Sequence, residues 1–183
     1  GVVYGIRLLE VLRGVAETHL IVSASAKQIL AIETEYELEE LYARASHVYA
    51  NSDLTAPLSS GSVRYSGAII VPCSMKTMGC IAAGIATTLI TRVAEVCLKE
   101  GRKLVLIPRE TPLSLVHLKN MVTVKEAGAV LLPASPAFYH EPKTVLDMVD
   151  FIVARALDVF GVELEAGKDR DLIRRWGTGS NQL

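Results

Sequence analysis

The sequence is poor in aromatic residues, at 5% of 183 with a single Trp, so its core has to be built from aliphatic side chains. Half the residues are hydrophobic, and Ala, Val, Ile and Leu are the usual filling between helices and a buried parallel sheet, which disfavours an all-β fold. Charge of one sign is also missing: 19 Lys and Arg against 20 Asp and Glu leave a net charge of -1. No basic field is available to hold a polyanion, so nucleic-acid binding is not expected. Long apolar runs are absent as well. Gly67–Pro72 is far shorter than the ~18 to 20 residues that cross a bilayer, and the diffuse stretch Cys80–Leu98 is interrupted by Arg92 and Glu95. A soluble protein without a membrane span is expected. Cys73, Cys80 and Cys97 are odd in number, and their spacing fits neither a disulfide framework nor paired zinc ligands. The four histidines, His19, His47, His117 and His140, show no ligand spacing either, so no metal is expected. No basic-then-apolar leader opens the sequence, and a reducing cytoplasm is the expected setting.

What is present suits one domain over residues 1–183, since a typical domain takes ~150 residues. Val2, Val3, Ile6, Leu9 and Leu12 recur at helical spacing, with Gly14 where a left-handed cap would follow. Thr18–Ser23 reads as a short strand, and Ile29, Leu30 and Ile32 mark a second helix. Glu35–Ala45 is charged and helical, and Asn51–Ser62 gathers Asn, Asp, Pro, Gly, Ser and Thr into a loop long enough to be a lid. Gly67–Pro72, Lys103–Pro108 and Ala129–Pro133 are near-continuous apolar runs ending in Pro, as for strands buried on both faces. Helical patterns at Met78–Glu100, Ser114–Ala127 and Val145–Phe160 separate and follow them. Strands alternating with helices predict right-handed crossovers and a three-layer αβα, Rossmann-like (flavodoxin-like) doubly wound parallel sheet.

In such a sheet, ligands bind beyond the carboxyl ends of the strands. Those ends carry Ser23, then Cys73-Ser74-Met75-Lys76-Thr77, then Arg109-Glu110-Thr111, then Pro136-Ala137-Phe138-Tyr139-His140. Any one segment serves equally well as a turn or helix cap. Together they offer hydroxyls, cations and a carboxylate to one edge, which suits an anionic ligand such as a phosphorylated cofactor. Arg92 and Lys99 share a helical face, with Glu95 spaced to pair with Lys99, and alone they read as a solvated, salt-bridged stripe. Met75, Met78 and Met121 suit core filling, and Cys73 a small buried thiol.

Nine ordered segments carry a resemblance along nearly the whole chain: Y-G-I-R-L-L at Tyr4, H-L-I-V-S at His19, E-T at Glu33, S-S-G-S at Ser59, P-C-S-M-K-T at Pro72, T-R-V-A-E-V-C-L-K-E at Thr91, P-R-E-T-P-L at Pro108, P-A-F-Y-H-E-P at Pro136 and R-W-G at Arg175. In these the chain resembles the UbiX/Pad family of flavin prenyltransferases. The resemblance implies a homo-oligomeric flavoprotein, typically a dodecamer, that joins the dimethylallyl group of dimethylallyl phosphate to N5 and C6 of reduced FMN without a metal. The product, prenylated FMN, would serve a UbiD-type decarboxylase.

Carried onto this chain, the resemblance assigns FMN contacts to Gly1, Ser23, Ser74, Met75, Lys76, Thr77 and Arg109. It assigns the clamp on the prenyl phosphate to Arg92, Lys99, Arg109, Tyr139 and Arg155, which would stabilise charge growing on the leaving group. Glu33 and Glu110 resemble the carboxylates that handle protons at the flavin, and Trp176 resembles the aromatic wall of the prenyl pocket. An exposed helix-end Glu and a packing Trp are also ordinary structural residues. One departure stands out: the family begins with a strand and a turn of the form G-x-S/T-G-A-S/T-G, of which only the last Gly matches here, as Gly1. Residues ahead of Gly1 are therefore expected to be missing from the sequence. Two other readings compete. An FMN-dependent cysteine decarboxylase would carry P-A-S-A-N-T and P-x-M-N-x-x-M-W type motifs, which this sequence lacks. A noncatalytic flavin-binding subunit would have been free to lose Glu33, Lys99, Glu110, Tyr139 and Arg155.

Overall fold

In the computed structural model, which describes residues 1–162 and Leu172, the apolar runs form two parallel sheets flanked by helices. The first pairs β1 (His19–Val22) with β2 (His47–Ala50), His19 standing opposite His47 and Val22 opposite Ala50. The second has the order β3 (Gly67–Cys73), β4 (Lys103–Pro108) and β5 (Val130–Leu131). Seven α-helices are described: α1 (Val3–Leu12), α2 (Ala24–Glu33), α3 (Leu38–Tyr42), α4 (Met75–Ala82), α5 (Leu89–Lys99), α6 (Leu115–Glu126) and α7 (Val145–Phe160). This is the expected flavodoxin-like α/β class.

The central strand β4 shows why the apolar runs are continuous. Leu104 and Leu106 face a cluster that contains Met78, Leu89, Val93 and Val124, whereas Val105 and Ile107 face Phe151, Ile152 and Ala156 of α7. Successive side chains enter opposite layers, so every position after Lys103 is apolar. α1 works on both sides in the same way. Val2 and Ile6 pack with Leu30 and Leu41, and Leu8 packs with Val149, Val153 and Leu157 of α7. Arg7 strengthens the second contact by donating from Nε and Nη2 to Asp150, at 2.7 and 3.2 Å. At Gly5 the helix comes close enough to β3 that an added Cβ would stand 3.1 Å from the Val71 carbonyl oxygen.

Ile21 of β1 and Tyr49 of β2 pack against the main core. Several expectations about individual elements are corrected. The helix expected over Met78–Glu100 is two helices, separated at Gly84, whose φ of 68° breaks the helical path. It also begins earlier, at Met75, because Ser74 caps it. The helix expected over Glu35–Ala45 is confined to α3, and β2 follows it unforeseen. The Asn51–Ser62 loop is not a lid. Ala56 and Leu58 are buried, the Leu89 N–H donates to the Asn51 carbonyl at 2.8 Å, and Arg92 Nε donates to the Ser59 carbonyl at 3.0 Å. Among the described residues, no helix is long and apolar enough to cross a membrane.

Candidate active site

The carboxyl ends of β1 and β3 each pass directly into a helix, and a serine makes each turn. Ser23 accepts a hydrogen bond from the Ala26 N–H at 3.1 Å, capping α2. Ser74 accepts from the Thr77 N–H at 3.2 Å and meets the Thr77 hydroxyl at 3.0 Å, capping α4. Both helices thereby turn their positive N-terminal ends to the edge where the strands finish. Lys76 is exposed on the first turn of α4, and Met75 is buried in the core beside Cys73 and Met78. The Met75 side chain is thus core filling, and only its backbone faces a role in binding.

Arg109 emerges exposed from the end of β4 and gathers the other groups. A Cβ on Gly1 would stand 3.4 Å from Arg109 Nε and 3.5 Å from the Pro72 side chain, so the start of α1, the end of β3 and Arg109 meet at one point. Glu33, at the end of α2, accepts from the Val2 N–H at 3.3 Å. The Glu33 carboxyl lies within electrostatic reach of Arg109. Tyr4 lies within reach of the same charge: burial raises its phenol, and Arg109 partly offsets the rise. Glu110 is exposed and accepts from the Thr111 N–H at 3.1 Å. Cys73, behind this edge, is pushed up to about 12 by burial, which leaves a thiol too little ionised to act as a nucleophile.

The remaining candidates stand elsewhere on the protomer. Arg92 Nη1 pairs with Glu95 Oε2 at 2.7 Å, and Lys99 Nζ lies 3.2 Å from Glu100 Oε1. The expected Glu95–Lys99 pair gives way because the Arg92 guanidinium, fixed to Ser59, reaches Glu95 first. Tyr139 lies in the segment between β5 and α7, its ring edge-on to Phe151 at 5.8 Å. Arg155 projects from α7 and pairs with Asp158 Oδ2 at 2.8 Å. The structure thus brings Gly1, Glu33 and Arg109 together at the edge that the Ser23 and Ser74 caps share, sets Arg92 and Lys99 on α5, and leads the segment that carries Tyr139 away from the end of β4, the Ala134 N–H donating to the Pro108 carbonyl at 2.9 Å. Trp176 lies outside the described residues. Tyr4 was not singled out from the sequence; its signal was a phenol in the apolar stripe of the helix that begins at the phosphate turn. Among the described residues, no group of three or more His, Cys, Asp or Glu is placed to hold a metal ion.

Hydroxyls at two helix N-termini, with Lys76 and Arg109 beside them, fit the phosphate and ribityl groups of FMN. Fold and site therefore define a flavodoxin-like flavin-binding protein. The Flavoprotein family model matches residues 1–157. The flavin prenyltransferase UbiX of Thermoplasma acidophilum is 48% identical over 176 residues, 96% of this chain and 94% of that one. The crystal structure of AnUbiX in complex with FMN and dimethylallyl pyrophosphate superposes with a TM-score of 0.90 at 45% identity, covering 96% of this chain and 91% of that one. A dodecameric FMN-dependent UbiX-like decarboxylase from Escherichia coli O157:H7 gives 0.89 at 46% identity, covering 96% and 93%. The chain belongs to the UbiX flavin prenyltransferase family. The FMN-dependent cysteine decarboxylase TvaF, at 18% identity and a TM-score of 0.63, covers 87% of this chain and 91% of its own and shares the fold alone.

Proposed function

We infer that this protein is a flavin prenyltransferase, a transferase that joins the dimethylallyl group of dimethylallyl phosphate to N5 and C6 of reduced FMN. The observation that carries the reading is the convergence of Arg109, Gly1 and Glu33 with two serine-capped helices at the sheet edge, in a chain of this family. Bound reduced FMN supplies the electron-rich ring positions that accept the C5 unit. The chain supplies the rest. Ser23, Ser74, Lys76, Thr77 and the Met75 backbone would hold the flavin's phosphate and side chain, and Arg109 would supply positive charge to flavin and donor. As the C–O bond of the donor breaks, its electron pair leaves with the phosphate, and fixed cations stabilise that growing charge. Glu33 and Glu110 are the carboxylates placed to move a proton at the flavin.

Arg92 and Lys99 lie on α5, paired with Glu95 and Glu100, and Tyr139 packs on α7, which carries Arg155. We assign them to a donor site completed by neighbouring copies in a homo-oligomer, a dodecamer like the Escherichia coli relative. Such an arrangement also removes water from Glu33 and Glu110, which the single chain leaves exposed. Residues 1–183, Trp176 included, act as one flavoprotein domain, and the prenylated FMN passes to a UbiD-type decarboxylase.

The test is mass spectrometry of flavin released after anaerobic incubation with reduced FMN and dimethylallyl phosphate, then with the pyrophosphate. A flavin heavier by one isoprene unit is expected; unchanged flavin with both donors overturns the reading. Lys99→Ala and Arg155→Ala should each lower turnover by about 100-fold while flavin stays bound, the scale of removing one group that stabilises a transition-state charge. Wild-type turnover in both would remove the clamp assignment and favour other phosphate contacts.

A further inference from the structure

We propose that His140 is a positioning residue for Tyr139, an assignment that rests on reading Tyr139 as a contact of the donor phosphate. The His140 Nε2 lies 3.3 Å from the Asp147 carbonyl oxygen. A carbonyl only accepts, so in the neutral imidazole the bond assigns the proton to Nε2 and leaves Nδ1 as a lone-pair acceptor. That Nδ1 is buried and has no hydrogen-bond partner among the described residues. The ring lies nearly flat on Phe151, centroids 5.2 Å apart and planes 21° from parallel. Tyr139 meets this stack edge-on, 6.0 Å from His140 and 5.8 Å from Phe151, both at 79°. The phenol is therefore set by the wall that His140 and Phe151 make together.

Packing alone does not account for an imidazole here. Phenylalanine would fill the same stack without burying an acceptor that finds no donor, and such orphaned groups destabilise a fold. What histidine adds is the Nε2–H bond. It ties the Tyr139 segment to the first turn of α7, where Thr144 and Asp147 cap each other's backbone N–H. Phe151 and Arg155 are four residues apart on that helix and so share a face. The tether thus holds the Tyr139 ring against the helix that carries Arg155.

His140→Phe keeps the stack and removes both the tether and the orphaned acceptor. It should melt no lower than the unsubstituted protein, bind FMN equally well, and show a KM for dimethylallyl phosphate raised about tenfold, the scale of one lost hydrogen bond to a charged group, with a smaller change in kcat. Tyr139→Phe should raise KM similarly, and adding His140→Phe to it should change little more. An unaltered KM in His140→Phe, with KM raised in Tyr139→Phe, overturns the proposal and leaves the phosphate reading intact. An unaltered KM in Tyr139→Phe shows instead that the phosphate reading fails at that residue, and the proposal falls with it. If His140→Phe melts lower, His140→Gln, which keeps an N–H donor, takes its place. Partial recovery of KM supports the tether, and a KM no better than that of His140→Phe, in a normally melting protein, overturns it.

Discussion

His19 and His47 lie ring on ring where β1 and β2 begin, their centroids 4.8 Å apart, and both Nε2 atoms address one Glu17 carboxylate oxygen, at 3.7 and 2.9 Å. Burial, then the neighbouring His47, lowers the His19 pKa from 6.5, and Glu17 only partly restores it. The unfolded chain therefore takes up a proton at this position before the folded one does. Stability is undiminished above the unfolded value and is lost as pH falls below it, towards the folded value. Thermal melts between pH of about 7.5 and 5.5 should show a decline of a few degrees that His19→Gln removes; a flat profile would show that the pair is not linked to folding. At this same scale the candidate site was legible only in part. Lys76, Arg109 and Glu110 could be read because they interrupt apolar runs at strand ends, where polar side chains have few structural duties. Tyr4 and His140 could not, since one falls within a helical stripe and the other within a loop, and only packing reveals the charge and the buried nitrogen beside them.

Among the elements, β3 depends on its first residue. Gly67 has a φ of 156°, and a Cβ there would stand 2.1 Å from the Lys103 carbonyl oxygen across the ladder. Backbone cannot give way as a side-chain tip can, so Gly67→Ala should cost at least about 3 kcal/mol, seen as a lower urea midpoint. Gly61→Ala is the contrasting case, since its Cβ would meet only the movable ends of Glu100 and Lys99, and it should change stability by less than about 1 kcal/mol. Equal effects would show that the approach at Gly67 is not what sets the ladder. Strands β3 and β4 were plain in the sequence because burial on two faces demands unbroken apolar runs. β2 was hidden because four residues, His-Val-Tyr-Ala, carry no such demand, its burial being mostly exposed. The break between α4 and α5 was hidden for a different reason. Apolar periodicity continues across Gly84, and a lone glycine inside a helical pattern is a weak signal.

For the whole molecule, much apolar surface remains uncovered on one protomer. Leu115, Val116 and Val122 of α6 are 66%, 64% and 56% exposed, and a groove alongside them is lined by Leu118, Met121 and Leu131. Surface of this kind fits burial between copies of the chain. Val116→Glu should lower the assembly mass measured by light scattering and, with the donor site completed by neighbouring copies as proposed, reduce prenylation with it. Full-size assemblies of that variant would move the interface away from α6. The burial of β4 has a further consequence, in time rather than in space. Leu104, Val105, Leu106 and Ile107 lie between two packed layers and are at most 1% exposed, whereas β2 is mostly exposed. Amide protons of Leu104–Ile107 should then exchange with solvent deuterium well after those of Val48–Ala50, and equal rates would show that the two strands open together.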